Sequence, residues 1–117
     1  SPDGTRIATL LNNGTVIINN LNGEKLYELS HWFYSITEIQ FSPDNNYIAT
    51  LSSDGSITLW NPETGNEIIC LNGKDASILS FRINEEGKIF AQTTIGLTIW
   101  DPYQGPVTHI INWFSPN

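Results

Sequence analysis

Ser42-Pro43-Asp44-Asn45-Asn46-Tyr47-Ile48-Ala49-Thr50-Leu51 reproduces Ser1-Pro2-Asp3-Gly4-Thr5-Arg6-Ile7-Ala8-Thr9-Leu10, differing only at the three positions from Gly4 to Arg6. The two copies stand 41 residues apart. A worn third copy, Gly87-Lys88-Ile89-Phe90-Ala91-Gln92-Thr93, puts Ala91 42 residues after Ala49. Further along each period, Val16-Ile17-Ile18-Asn19-Asn20 aligns with Ile57-Thr58-Leu59-Trp60-Asn61 and with Leu97-Thr98-Ile99-Trp100-Asp101, at spacings of 41 and 40. Self-similarity at a fixed period in this range marks an array of one supersecondary unit, because each unit buries its apolar face only against the next.

Within a period, short runs rich in β-branched and large apolar residues alternate with turn chemistry. Ile7 to Leu11, Val16 to Asn19 and Leu26 to Leu29 are separated by Asn12-Asn13-Gly14 and Asn22-Gly23. Asn-Gly is a strong hairpin signal and predicts two-residue turns with both central residues at positive φ. The second period carries Ser53-Asp54-Gly55 and Asn61-Pro62-Glu63-Thr64-Gly65. The third has a clipped turn at Thr94-Ile95-Gly96, then Asp101-Pro102-Tyr103-Gln104-Gly105. No window of helical length shows an apolar 3.6-residue period free of Gly or Pro breaks, so the expectation is an all-β meander.

Phe41-Ser42-Pro43-Asp44, Ile48-Ala49-Thr50, Ser52 through Asn61, Thr64-Gly65 and Leu71-Asn72-Gly73 resemble the WD repeat, and the resemblance spans nearly the whole chain. It implies β-propeller blades of four antiparallel strands, a to d from the central channel outward, with about 2.75 blades covered. Blade one, residues 1–31, lacks strand a and keeps strands near 5–11, 15–19 and 25–29. Blade two, 32–73, is expected to be complete, with strands near 35–41, 47–52, 56–61 and 66–71. Blade three, 74–117, has strands near 77–82, 88–93, 97–100 and 107–111. Phe114-Ser115-Pro116-Asn117 echoes Phe41-Ser42-Pro43-Asp44, which leaves open a tail ending in a strand a. The run from Val107 to Ile111, placed directly after Gly105, favours strand d.

The same resemblance implies a buried polar network of Trp, Ser or Thr, Asp and His tying strands b and c to the loop before strand a. In blade two, Trp60, Ser52 and Asp54 occupy three of these positions; the histidine position falls on Trp32, with His31 beside it as a substitute. A buried indole N–H and a buried carboxylate both need partners, so such a network stabilises. Blade one has Leu11, Asn13 and Asn19 at these positions, and blade three keeps only Trp100. The loops with Trp32, Phe33 and Tyr34, with Lys74 and Asp75, and with Trp113 and Phe114 are expected on the face of the b–c turns, as partner contacts. The competing reading has Trp32 or Phe33 filling core space between blades.

Twelve acids against five bases give a net charge of −7. Five scattered bases form no stripe that tracks phosphates, so neither nucleic acid nor an anionic membrane is an expected partner. The acidity serves solubility, or it suits a basic protein or peptide. One cysteine, Cys70, forbids an internal disulfide and fits a reducing, cytoplasmic location; a small buried residue is its expected role. Asn13-Gly14-Thr15 matches a glycosylation acceptor but reads as a hairpin turn. No nucleophile elbow, phosphate loop or metal-spaced His/Cys set occurs, and neither metal nor cofactor is expected. The expected function is a non-catalytic protein-interaction scaffold; a regulatory sensor region controlling an enzyme domain elsewhere in the parent protein comes second, and a hydrolytic propeller a remote third. Because the sequence starts and stops within a repeat, the remaining blades are expected in the same parent chain or, failing that, from copies joined in a ring.

Overall fold

The computed structural model describes residues 1–31, 34–72 and 77–103, with the backbone alone at Asn72 and 108–111. Eleven strands follow one another, with no helix among the described residues: β1 (Arg6–Leu10), β2 (Val16–Asn20), β3 (Lys25–Leu29), β4 (Ile36–Phe41), β5 (Ile48–Ser52), β6 (Ser56–Trp60), β7 (Glu67–Asn72), β8 (Ile78–Ile83), β9 (Ile89–Thr93), β10 (Gly96–Trp100) and β11 (Thr108–Ile111). They form three antiparallel meanders: a three-stranded sheet β1-β2-β3, then four-stranded sheets β4-β5-β6-β7 and β8-β9-β10-β11. β11 pairs with β10, as the fourth strand of the third sheet. The described part of the tail therefore continues blade three outward.

The turns owe their geometry to one left-handed residue each. Gly14 N–H donates to Leu11 at 3.0 Å, Gly23 to Asn20 at 3.1 Å and Gly55 to Ser52 at 2.9 Å. Gly14 and Gly55 both have φ of 82°, whereas Asn13 does not have a positive φ. These are three-residue turns closed by a left-handed residue, so the expectation of paired positive-φ positions is corrected. Side-chain oxygens complete them: Asn13 Oδ1 accepts from Thr15 N–H at 3.0 Å and Asp54 Oδ1 from Ser56 N–H at 3.1 Å. An Asx side chain that bonds its own backbone two residues on fixes the turn locally.

The middle sheet has no solvent face at its centre. Every residue of β5 and β6 is buried. Side chains alternate along a strand, so the two faces read separately. Ala49, Leu51, Ile57 and Leu59 pack with Ile78, Phe81, Ile89, Ala91 and Trp100 of the third sheet. Ile48 and Trp60 pack with Val16, Ile18, Leu29 and Ile36 on the side of the first sheet. Each fully buried aliphatic side chain contributes about 1.5–3 kcal/mol, so stacking of the sheets holds the array together.

The register also corrects the alignment of the third copy. Ile89 lies opposite Trp100 as Ile48 lies opposite Trp60. The equivalents are thus Ile48 with Ile89 and Thr50 with Ala91, a spacing of 41 rather than 42. A one-residue slip would have turned every side chain of β9 to the wrong face. Cys70 is exposed rather than buried, because β7 is the outer edge strand of its sheet.

Candidate functional site

The buried polar side chains of the middle sheet gather on the face turned to the first sheet. Thr50 lies directly opposite Thr58, and Trp60 opposite Ile48, so Thr50 is the diagonal neighbour of Trp60 on the same face. The indole N–H of Trp60 donates to Thr50 Oγ1 at 2.8 Å. His31, just past β3, brings its Nε2 to 3.3 Å from Thr58 Oγ1 and tilts its ring against Trp60 at a centroid distance of 5.4 Å. This cluster spans from the end of the first sheet to the centre of the second.

The expected tie between Trp60 and Ser52 is corrected by this geometry. Ser52 stands two residues beyond Thr50, which at about 3.3 Å per residue puts it out of the indole's reach. Its hydroxyl is buried, the residue being 3% exposed, and it has no partner among the described residues. Asp54 does not join the cluster either: it is exposed and accepts from the Ser56 hydroxyl at 2.7 Å, as a turn former. Trp60 and His31 are thus brought together, and Ser52 and Asp54 stand apart. The repetition of Thr9 at Thr50 carried the missed signal, since the parity of β5 decides which hydroxyl faces the indole.

Of the expected partner contacts, Trp32, Phe33, Lys74, Asp75, Trp113 and Phe114 lie outside the described residues. Tyr34 is described and is 47% exposed. The next residue is fixed from two sides. Ser35 carbonyl accepts from Ser53 N–H at 2.8 Å, and Ile36 N–H donates back to Gly14 carbonyl at 2.9 Å. The same pair of bonds recurs one repeat later, where Thr94 N–H reaches Ser77 carbonyl at 3.2 Å and Ile78 N–H reaches Gly55 carbonyl at 3.1 Å. Tyr34 therefore projects from a rigid seam between two blades, on the face of the β1–β2 and β5–β6 turns.

The other ends of the sheets are clipped by tyrosines. Tyr27 hydroxyl donates to Pro62 carbonyl, Tyr47 to Gly87 carbonyl at 2.8 Å, and Tyr103 to the Asp44 carboxylate. Burial raises the Tyr47 phenol far above its ordinary value. Burial also pushes the Asp44 carboxyl up, but hydrogen bonds from Tyr103, Ser42 and Asn46 outweigh it and hold the carboxyl below the usual range.

One acid lies on an inner strand. Glu38 on β4 follows a bulge between Ile36 and Glu38 and shares its face with Gln40, toward the third sheet. Its Oε2 is buried with no partner among the described residues, and burial raises its carboxyl above the usual range. Glu38 was not among the residues expected from the sequence. Among the described residues no group of three or more His, Cys, Asp or Glu is placed to hold a metal.

Comparison with known proteins agrees with this architecture. The family model described as the Anaphase-promoting complex subunit 4 WD40 domain matches residues 1–86. The WD repeat-containing protein 82 of Drosophila melanogaster is 32% identical over 66 residues, which make up 56% of this chain and 21% of that protein. Telomerase protein component 1 of Mus musculus is 30% identical over 110 residues, 90% of this chain but 4% of that protein. Among solved structures, U3-55K superimposes with a TM-score of 0.78 at 13% identity, covering 96% of this chain and 38% of that one. The RRP9 WD40 repeats give 0.77 at 13% identity, over 94% and 36%. The chain thus spans less than half the length of each of these relatives. Its sheets stack as propeller blades, and it belongs to the WD40 family, by the match to the Anaphase-promoting complex subunit 4 WD40 domain over residues 1–86.

Proposed function

We propose that this chain is part of a larger propeller that works as a non-catalytic scaffold, holding a protein or peptide partner on the face of the β1–β2 and β5–β6 turns. WD40 propellers are typically protein-interaction scaffolds. The observation that carries the reading is Tyr34: a half-exposed aromatic next to backbone that hydrogen-bonds to Gly14 of the first blade and to Ser53 in the β5–β6 turn of its own. An aromatic held rigidly loses little entropy on binding, and tyrosine is among the residues that most often anchor interfaces. The net charge of −7 suits a basic partner, whose approach it would speed. The buried hydroxyl of Thr50 is taken up by Trp60 within its sheet and that of Thr58 by His31 of the first blade, which leaves partner binding to the loops.

The test is affinity capture with the full-length protein and its Tyr34→Ala variant, read by quantitative mass spectrometry with melting temperature in parallel. The expected result is a protein retained by wild type and lost from the variant at unchanged melting temperature. Equal capture by both, or no protein specifically retained, overturns the reading.

A further inference from the structure

Two turns of the chain are built alike and packed differently. In the β1–β2 turn, Gly14 N–H donates to the Leu11 carbonyl at 3.0 Å and Leu11 N–H to the Thr15 carbonyl at 2.9 Å. In the β2–β3 turn, Gly23 N–H donates to Asn20 at 3.1 Å and Asn20 N–H to Glu24 at 3.0 Å. Each turn carries an exposed asparagine, Asn13 or Asn22, directly before its left-handed glycine. The surroundings then diverge. Asn13 Oδ1 accepts from Thr15 N–H at 3.0 Å. The equivalent donor, Glu24 N–H, goes to Asn20 Oδ1 at 3.0 Å, and the Asn22 carboxamide has no hydrogen bond among the described residues. Gly14 is buried against Ser35, where a Cβ would lie 2.4 Å from the Ser35 Cβ; Gly23 is exposed, with nothing within 4 Å of that position. Asn72-Gly73, the third such pair in the sequence, is described only at the Asn72 backbone.

From this contrast we propose that Asn22-Gly23 is a site of spontaneous deamidation, where the chain converts asparagine to aspartate and isoaspartate, and that Asn13-Gly14 is protected. In the reaction the Gly23 amide nitrogen gives up its proton to hydroxide and attacks Asn22 Cγ. The new N–Cγ bond replaces the bond from Cγ to Nδ2, which takes a proton from water and leaves as ammonia, so that a succinimide remains. Water then opens the ring at either carbonyl; overall one water is consumed and one ammonia released. Attack requires the carboxamide to swing onto the following backbone nitrogen, and a group held in another contact is not placed for it. Asn22 is free to swing, whereas Asn13 must first give up Thr15. The Gly23 N–H must also leave Asn20, and an exposed turn without a packed neighbour opens locally at little cost. At Gly14 the same opening would disturb the seam, because Ile36 N–H rests on the Gly14 carbonyl. Isoaspartate lengthens the backbone by one methylene, for which the open space at Gly23 leaves room.

The experiment incubates the full-length protein at mildly alkaline pH, native and in urea, and follows amide-to-acid conversion at Asn13 and Asn22 by peptide mapping and mass spectrometry. Dividing each native rate by its rate in urea removes the influence of neighbouring sequence. The expected result is a ratio about two- to tenfold higher at Asn22 than at Asn13, the factor that one lost hydrogen bond is worth. Fragmentation that separates isoaspartate from aspartate should find both at position 22. Asn22→Gln should abolish the acid formed in this turn and leave the melting temperature unchanged. Equal ratios at the two sites, a higher one at Asn13, or no acid at Asn22 while the urea-unfolded chain converts overturns the proposal. Asn22 lies in the β2–β3 turn, at the other end of the sheet from the β1–β2 turn, so the outcome is independent of capture through Tyr34.

Discussion

A buried indole is satisfied by whichever acceptor shares its face, and sequence spacing alone does not say which that is. Trp60 was legible as the anchor of the middle sheet, but its acceptor is Thr50, because the register sets Trp60 against Ile48 and brings the diagonal hydroxyl to 2.8 Å. Thr50→Val should therefore leave the indole N–H unpaired and cost about 1–3 kcal/mol in denaturant unfolding. Ser52→Ala removes a buried hydroxyl without a partner among the described residues, and should be neutral or slightly stabilising. The reverse order of these two variants would return the network to Ser52. Glu38 makes the converse case, since it weakens the fold where it stands. Burial raises its carboxyl, so the stability it permits is full below the unfolded pKa and is lost as pH rises through the higher folded value. Glu38→Gln should thus melt above wild type at pH 7, with the difference gone below about pH 4. Thermal melts at both values check it; a variant that melts lower at pH 7 would mean that the carboxylate is already paired. No composition or motif pointed to Glu38, because its burial arises from the neighbouring blade.

Strands and turns were the legible elements, since β-branched runs and Asx-Gly punctuation act within a few residues of themselves. The seams between blades were not, because they join Gly14 to Ser35 and Gly55 to Ser77 across the sheets. At Gly14 a Cβ would lie 2.4 Å from the Ser35 Cβ and 2.7 Å from its Cα, whereas at Gly23 it would meet nothing within 4 Å. Both glycines have positive φ, so alanine at either suffers backbone strain of about 1–2 kcal/mol. Gly14→Ala must in addition push the chain off the seam, for a further cost of about 1–3 kcal/mol. Urea midpoints should therefore fall clearly more for Gly14→Ala than for Gly23→Ala. Equal midpoints would show that the seam gives way without cost, and that the position of Tyr34 is less rigid than the hydrogen bonds imply. The turn type escaped the sequence for a related reason: Asn-Gly fits two hairpin geometries, and the Leu11 to Thr15 pairing selects the three-residue one.

At the scale of the whole molecule, the array buries its middle and leaves its ends bare. Both faces of the second sheet are covered, but among the described residues each outer sheet has a neighbour on one face only. The outward side of the first sheet shows Ile7 at 51% and Leu26 at 43% exposure, and Leu79 on β8 is 56% exposed. β1 is an edge in a sheet of three, at the position where the other two sheets add β4 and β8. The envelope is 53 × 30 × 19 Å, with a radius of gyration of 14.5 Å against about 13 Å for a compact chain of this length, as suits an arc of stacked sheets. Apolar faces and unpaired edges of this kind drive association when nothing covers them. A polypeptide of residues 1–117 alone should thus self-associate with rising concentration in multi-angle light scattering. Charging one end with Ile7→Lys and Leu26→Glu should shift it toward monomer without changing its β circular-dichroism spectrum, because both side chains already face solvent. The net charge of −7 opposes contact between copies, so association at low salt would be weaker and would strengthen as salt screens the charge. A monomer at every concentration and salt, with a sharp melting transition, would mean that the end faces need no cover and that further blades are dispensable for stability.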